Sequence, residues 1–405
     1  MTRLPTDEFA AFVGLDWADA KHDVCLPAAG SQTRAFSILA HQPDTIDAWV
    51  SPLRTRCKGQ PMAIGLERNK GPIVSALGQD DFRVRLPVNP LTLARYREAF
   101  TPSHAKDDPP DAELPRELLL TPRDKLQPFN PQSPAIRALE QLVEHRRRLV
   151  GDTVRLTNRL TRALKNDFPH VLQWFDNQDT TIVCDVLTPW PTRKAVQLAR
   201  RSPLERVFRA HPGRDADVIE QRLQALKSTT PRTTDAGVIA PTALLVQALV
   251  SQLRVTLQAI DDFDEAIAPR AQSHPDCPLF HALPGAGAVL APRLLAAFGE
   301  QRNRYTSADA LQTYAGIAPV TERSGHTSWV HWRLQCPTFL RHTFVAWAAE
   351  SIRHSFWARA YYQPQRHKGT SHQAAVRALA FKWIRIVFRC WQNRTPYDES
   401  VYLHA

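Results

Sequence analysis

The chain has no run of about 18 apolar residues, the length a membrane-crossing helix needs, which predicts no membrane span. Its N-terminus, Met-Thr-Arg-Leu-Pro-Thr-Asp-Glu, lacks the apolar core of a signal peptide, so secretion is not expected. The six cysteines (Cys25, Cys57, Cys184, Cys277, Cys336, Cys390) are scattered, with no Cys-x-x-Cys pair. That excludes a zinc ribbon and a disulfide scaffold, and fits a reducing cytoplasm. Glycine is scarce at 15 of 405 residues, and no internal repeat is visible. Proline, at 32, is plentiful, and its clusters at 109–134 and 187–191 read as segment boundaries.

What is present is ordinary for a folded protein of two or three domains: 43% apolar and 22% charged residues. Lys and Arg number 51 against 40 Asp and Glu, a formal net charge of +11. A surplus of this size suits a polyanionic partner, of which nucleic acid is the commonest.

The hydropathy pattern opens as α/β. Short apolar or alternating runs at 11–15, 22–26, 34–38, 62–66 and 82–86 read as strands, with helices at 45–54 and 72–77. Three strands, a helix, a strand, a helix and a strand is the order of a ribonuclease-H-like domain. The rest reads as all-α. One long basic helix is expected over 134–166, with a coiled-coil-like seam of Leu139, Leu142, Leu149, Leu156 and Leu160, interrupted at Arg146 and Thr153. A second is expected near 242–268, with Val246, Leu249, Leu253, Ile260, Phe263 and Ile267 on its seam. The two can pair within the chain or between subunits. Residues 167–240 give no assignable pattern. The expected division is 1–125, 126–275 and 276–405.

Four acids stand out by position. Asp16 closes the first strand, Glu67 closes a later one, and Asp108 and Asp111 follow in Lys106-Asp107-Asp108-Pro109-Pro110-Asp111-Ala112. Carboxylates gathered at strand ends raise one another's pKa, and a divalent cation relieves that penalty. Oxygen donors suit Mg²⁺, and two such ions can clamp a phosphodiester between attacking and leaving oxygens. Any one acid among forty is by default a solvated surface group. Asp107 competes with Asp108, Asp19 and Asp23 lie near Asp16, and Pro109-Pro110 argue against a continuous helix through Asp108.

In the C-terminal third, Leu283-Pro284-Gly285-Ala286-Gly287 ahead of an apolar stretch reads as a helix-hairpin-helix start, where Gly285 and Gly287 let backbone N–H groups approach a phosphate. Val320-Thr321-Glu322-Arg323-Ser324-Gly325-His326-Thr327-Ser328 reads as a polar loop, in which Arg323 and His326 could assist a nucleophilic Ser324. Arg147 and Arg155 on the first long helix, and Arg333 downstream, are further candidates for phosphate contact. Trp329, Trp332, Trp347, Trp357 and Trp383 interleave with arginines, which suits base stacking, although tryptophans in helices are more often core.

Taken in order, Gly14-Leu15-Asp16, Leu66-Glu67, Val88-Asn89-Pro90 and Ala105-Lys106-x-Asp108-x-x-Asp111-Ala112 resemble the DEDD transposases of the IS110 type, which are related to Piv-type DNA invertases. The run from Pro284 through Gly316-Ile317-Ala318-Pro319 to Arg323-Ser324-Gly325 resembles the C-terminal domain of the same family, and Tyr361-Tyr362 and Lys368-Gly369 resemble its closing helices. The resemblance implies an N-terminal ribonuclease-H-like domain akin to Holliday-junction resolvases, with Asp16, Glu67, Asp108 and Asp111 holding Mg²⁺ and Ser324 as nucleophile. It implies a site-specific recombinase that forms a covalent phosphoserine link to DNA. It also implies a structured bridge RNA as guide, a composite site in a homotetramer (a dimer of dimers), and a prokaryotic, nucleoid-associated location. The chain departs from the family pattern where Asp107 replaces a usual Thr, where Arg68-Asn69-Lys70-Gly71 replaces a Thr-Gly, at Pro109-Pro110, and where Leu334-Gln335-Cys336-Pro337-Thr338 replaces a glycine-rich basic segment. Two other functions fit the same residues: a metal-dependent nuclease or junction resolvase that uses water, and a decayed transposase that binds nucleic acid without cutting it.

Overall fold

The computed structural model describes residues 9–27, 33–67, 71–78, 82–88, 90–100, 108–120, 130–211, 216–228, 233–325 and 327–403. The chain divides into two compact units, 1–131 and 132–405.

The first unit is built on a five-stranded sheet: β1 (Ala11–Trp17), β2 (Lys21–Pro27), β3 (Arg34–Ala40), β4 (Met62–Leu66) and β5 (Arg83–Pro87). The order across the sheet is β3-β2-β1-β4-β5, with β1, β2 and β3 an antiparallel meander and β4 and β5 parallel to β1. The strand-helix order matches the sequence reading. Every residue of β4 is buried, as expected of a central parallel strand covered on both faces. On one face Val13, Leu15, Met62, Ile64 and Leu66 pack under α1 (Pro43–Arg56) and α2 (Pro72–Ala76). The other face takes α4 (Asp108–Leu120), which follows α3 (Pro90–Phe100).

Pro109 and Pro110 do not prevent a helix through Asp108. The helix begins at Asp108, so both prolines lie in its first turn, where the missing N–H groups have no intrahelical acceptor to lose.

The second unit rests on two long helices, α5 (Pro134–Asp167) and α10 (Ala236–Gln272). Ser133 caps α5 by accepting from Ile136 N, with Pro134 next to it, and Asp235 caps α10 by accepting from Gly237 N at 2.8 Å. The helices pair within the chain and run antiparallel. Ile136 and Leu139 share a core with Ile267 and Ala271, while Leu160 and Leu164 share one with Val246, Leu249, Val250 and Leu253. Neither expected interruption breaks the seam. Thr153 is buried in it, its hydroxyl donating to Leu149 O, and Arg146 crosses to Asp264. Among the described residues, α10 is the one helix long and apolar enough to cross a membrane by length and composition, which qualifies the sequence expectation. Its run of Val246, Leu249, Val250 and Leu253 is buried against protein.

The described residues of 168–228, opaque in sequence, form a 3₁₀ turn at Pro169–Gln173 and four short helices, α6 (Thr181–Leu187), α7 (Arg193–Leu198), α8 (Arg201–Arg209) and α9 (Ala216–Ser228). They wrap Phe168, Trp174, Val183 and Phe208 against the far halves of α5 and α10.

The C-terminal part comprises α11 (Cys277–His281), α12 (Gly287–Phe298), α13 (Ala308–Tyr314), a hairpin of β6 (Val320–Ser324) and β7 (Thr327–His331), then α14 (Thr338–His354), α15 (Phe356–His367), α16 (His372–Asn393) and α17 (Ser400–Leu403). Its core centres on Trp347, Trp383 and Trp391, all fully buried. Each indole N–H finds an acceptor: Pro284 O at 3.0 Å, Ser351 Oγ at 2.8 Å and Gly299 O at 3.0 Å respectively.

Candidate functional site

The side chains of a strand alternate between faces, so Phe12, Gly14 and Asp16 of β1 share one face and Ala63 and Gly65 of β4 share it with them. The last register pair of the two strands is Leu15 with Leu66, and Asp16 and Glu67 come one residue further along each. The two acids therefore emerge together at the C-terminal end of a parallel pair. Above them, α4 crosses the face that the two glycines leave bare, with Ala112, Pro115 and Arg116 next to Gly14 and Gly65. This close passage brings Asp111, in the first turn of α4 and buried, to the same end.

The electrostatics record the convergence. The Asp16 carboxyl is pushed up to about 6 by burial first, then by the charges of Asp111, Glu67 and Asp23. Asp23 is its cross-strand partner on β2. Arg97 of α3 supplies a counter-charge, its Nη2 lying 2.5 Å from Asp111 Oδ1. Nothing in the sequence pattern distinguished Arg97. Asp108 opens the helix that carries Asp111, three residues before it. Asp107 lies outside the described residues.

The donor set at this end is all carboxylate oxygen, which suits a hard cation such as Mg²⁺. Burial and, after it, the charges of Asp111, Glu67 and Asp23 disfavour the Asp16 carboxylate, a penalty that a divalent ion would relieve. As placed, no group of three or more His, Cys, Asp or Glu among the described residues encloses a metal ion, and Asp111 is held by Arg97 instead.

In the second unit the expected polar loop is a β-hairpin. Ser324 and Thr327 are its terminal register pair, and Gly325, at φ +56°, follows Ser324 between them. Two residues between paired strands with a positive φ at the first is a tight-hairpin pattern. Ser324 and Arg323 are exposed at the tip. His326 lies outside the described residues. Arg333 follows the hairpin and is half-buried.

The other basic candidates are largely engaged. Arg147 makes two bonds to Glu144, at 2.7 and 2.9 Å, and Arg155 is paired with Asp152. Gly285 has φ +72° and α14 passes close by, so that a side chain there would sit 3.0 Å from His354 Cδ2 and 3.2 Å from the Glu350 backbone. Its glycine thus serves packing against α14. Gly287, at φ +51°, has open space where a Cβ would stand. Of the tryptophans, Trp347 and Trp383 are core and Trp357 packs against that core, whereas Trp329 and Trp332 are exposed on and beside the hairpin.

Comparison with known proteins bears on both units. A DEDD transposase model of the IS110 type matches residues 13–169, and the C-terminal model described as "Transposase IS116/IS110/IS902 family" matches residues 277–363. The chain belongs to the IS110/IS116/IS902 family of transposases. Among its relatives is the mini-circle putative transposase for IS117 of Streptomyces coelicolor, 29% identical over 97% of each chain. An uncharacterized 42 kDa protein of insertion element IS900 from Mycobacterium paratuberculosis is 24% identical over 96% of this chain and 97% of its own. An uncharacterized 44.8 kDa protein of IS116 from Streptomyces clavuligerus is 27% identical over 76% of each. As a member of this transposase family, the chain carries the family's two matched regions in order, with α6–α9 lying between them.

Proposed function

We propose that this transposase is a site-specific DNA recombinase that cuts and rejoins DNA at the ends of its own insertion element, with a ribonuclease-H-like N-terminal domain. The observation that carries the reading is the convergence of Asp16, Glu67 and Asp111 at one end of the β1–β4 pair, with Asp16 pushed up to about 6 by burial first and then by these neighbouring charges. Asp16, Glu67, Asp108 and Asp111 are the residues that would hold Mg²⁺. Bound there, the ion would neutralise charge on a scissile phosphate and orient it.

The remaining chemistry is assigned to Ser324. Its Oγ attacks phosphorus and its proton leaves to a base. A new phosphorus–Oγ ester forms as the bond from phosphorus to the leaving sugar oxygen breaks, and that oxygen departs as a hydroxyl. The ester keeps the energy of the phosphodiester, so attack by a second sugar hydroxyl restores the DNA backbone and frees Ser324. An exposed serine on a hairpin tip has the access that attack on a duplex backbone demands. Arg323, beside it and exposed, would pair with phosphoryl oxygens. The acids and the serine lie in different units, and we assign the complete site to a homo-oligomer, a dimer of dimers. The family resemblance and the net charge of +11 support DNA and a structured bridge RNA as partners.

The test is excision of a marked element in cells. Wild-type protein should excise it, whereas Asp16→Asn and Ser324→Ala should each abolish excision while the protein still accumulates. Excision by Ser324→Ala at the wild-type level would contradict the serine assignment. RNA recovered with the purified protein should be one dominant species encoded beside the gene. A mixture of ribosomal and transfer RNA would contradict guidance.

A further inference from the structure

At the base of the serine hairpin lies a cleft of about 400 Å³, bounded by the Gly316–Pro319 segment, the end of β7 with Trp332 and Arg333, Tyr361 of α15, and Arg377 and Phe381 of α16. Its floor is fixed. The main-chain carbonyl of Gln312 accepts from the amides of Ile317 and Ala318, and its side chain, in a residue 1% exposed, donates Nε2 to Phe381 O at 2.6 Å. Gly316 takes φ +70° with Cys336 against it, so no side chain can enter there.

The lining pairs flat aromatic surface with unneutralised charge. The Arg377 guanidinium lies over the Trp332 ring, and its described hydrogen bond is a long one, Nε to Gln373 O at 3.4 Å. Arg333 Nε is buried without a hydrogen-bond partner among the described residues. Among the described residues no acidic side chain lines the cleft, and nearby Glu322 is engaged by His331 at 2.8 Å. Burial pushes the Arg377 guanidinium down, the sign of a cation short of counter-charge. A ligand that is planar, aromatic and anionic satisfies every part of this lining, and a nucleotide is such a ligand.

Position along the hairpin says which nucleotide. Val320 and His331 pair at the base and Ser324 and Thr327 at the tip, four residues away. At about 3.3 Å per residue that separation is roughly 13 Å. A DNA strand advances about 3.4 Å per nucleotide along a stacked duplex and further where it is unstacked, so the same span covers at most about four nucleotides.

We propose that this cleft is a nucleotide pocket that takes one unstacked base of the DNA strand, within about four nucleotides of the phosphodiester at Ser324. The base lies against Trp332 and Tyr361, and Arg377 and Arg333 pair with its phosphate. The proposal rests on the recombinase reading above and gives its hairpin a second role, gripping the strand that its tip cuts.

The experiment uses full-length protein, DNA oligonucleotides carrying single 5-iododeoxyuridines, and matching RNA oligonucleotides carrying 5-iodouridine. Irradiation joins such bases to aromatic rings that stack on them, and mass spectrometry maps the adduct. The expected result is a DNA cross-link on Trp332 or Tyr361. Trp332→Ala should remove it and weaken DNA binding about tenfold, and Trp332→Phe should restore binding. DNA binding that persists with cross-links only elsewhere, unchanged by Trp332→Ala, would overturn the pocket and leave the recombinase reading standing. Cross-links from the RNA alone would overturn the assignment to the DNA strand. Failure to bind either nucleic acid would overturn the recombinase reading itself, and the pocket with it.

Discussion

Gly14 and Gly65 are register partners on adjacent parallel strands, and a Cβ on either would collide with the backbone of α4. At Gly14 it would meet the carbonyl oxygen of Ala112 and stand 2.8 Å from Arg116 N, and at Gly65 it would stand 2.7 Å from Pro115 O. These are backbone atoms of a helix, so no side-chain rotation relieves the clash. The glycine pair sets the height at which α4 crosses the sheet, and with it the distance from Asp111 to Asp16.

Gly65→Ala is therefore expected to lift α4 and to cost about 1–3 kcal/mol in the N-terminal unit, the usual range for overpacking. Hydrogen exchange of peptides covering β1, β4 and α4 reads this locally, and protection should fall there while α14 and α16 stay unchanged. Excision should fall as well, because the carboxylates no longer meet. Unchanged exchange in α4 would show that the helix has room the present packing denies it.

The pH dependence follows from Asp16. Its folded value, about 6, lies above the ordinary 3.8, so between those values the folded chain holds a proton that the unfolded chain has lost. Stability of the first unit should fall as pH rises through that window and level off above about 6. Asp16→Asn should remove this slope, being more stable than wild type at neutral pH and equal to it below about pH 4. At neutral pH, Mg²⁺ should protect β1 and β4 from exchange in the wild type and not in Asp16→Asn.

Arg97 offers a separate handle. Arg97→Ala removes the cation beside Asp111 and leaves the carboxylates facing one another. The Asp16 carboxyl should then titrate above its present value, which NMR of the labelled side chain would register. An unchanged titration would mean that solvent screens Asp111 without help from Arg97.

Between the long helices, Arg146 holds Asp264 with bonds of 2.5 and 2.7 Å from Nε and Nη2. The pair is half-buried and two-pronged, a better geometry than most surface ion pairs have. A double-mutant cycle with Arg146→Ala and Asp264→Ala should give a coupling of about 1 kcal/mol in urea unfolding. A coupling near zero would assign the helix pairing to its apolar seam alone.

The sequence was most informative where one local rule decides the structure. Alternating and apolar runs located all five strands because the period of two survives in both the meander and the buried parallel pair. The long helices were legible from their seams, but the seam rule misjudged Arg146 and Thr153, which are satisfied by Asp264 and by Leu149 O and so cost the interface little. Residues 168–228 were opaque because helices of six to thirteen residues carry too few turns to display a period, and their burial is decided by α5 and α10, distant in sequence. The hairpin at Ser324 was hidden for a different reason. Its strands are almost wholly exposed, so polar residues occupy both faces and no alternation is written into them. Among the acids, strand-end position was enough to single out Asp16 and Glu67, whereas the counter-charge Arg97 became visible only when the fold placed it, and burial alone separated the exposed Trp332 from the core tryptophans of the same basic stretch.

The most direct measurement is covalent capture at Ser324. Full-length protein is incubated with its element's end DNA, its co-purified RNA and Mg²⁺, then denatured, digested and searched for a nucleotide-modified peptide. The account predicts a phosphoester on Ser324 in the wild type and none with Ser324→Ala. DNA cleaved equally well by Ser324→Ala, with no adduct on either protein, would contradict it and assign the cut to water.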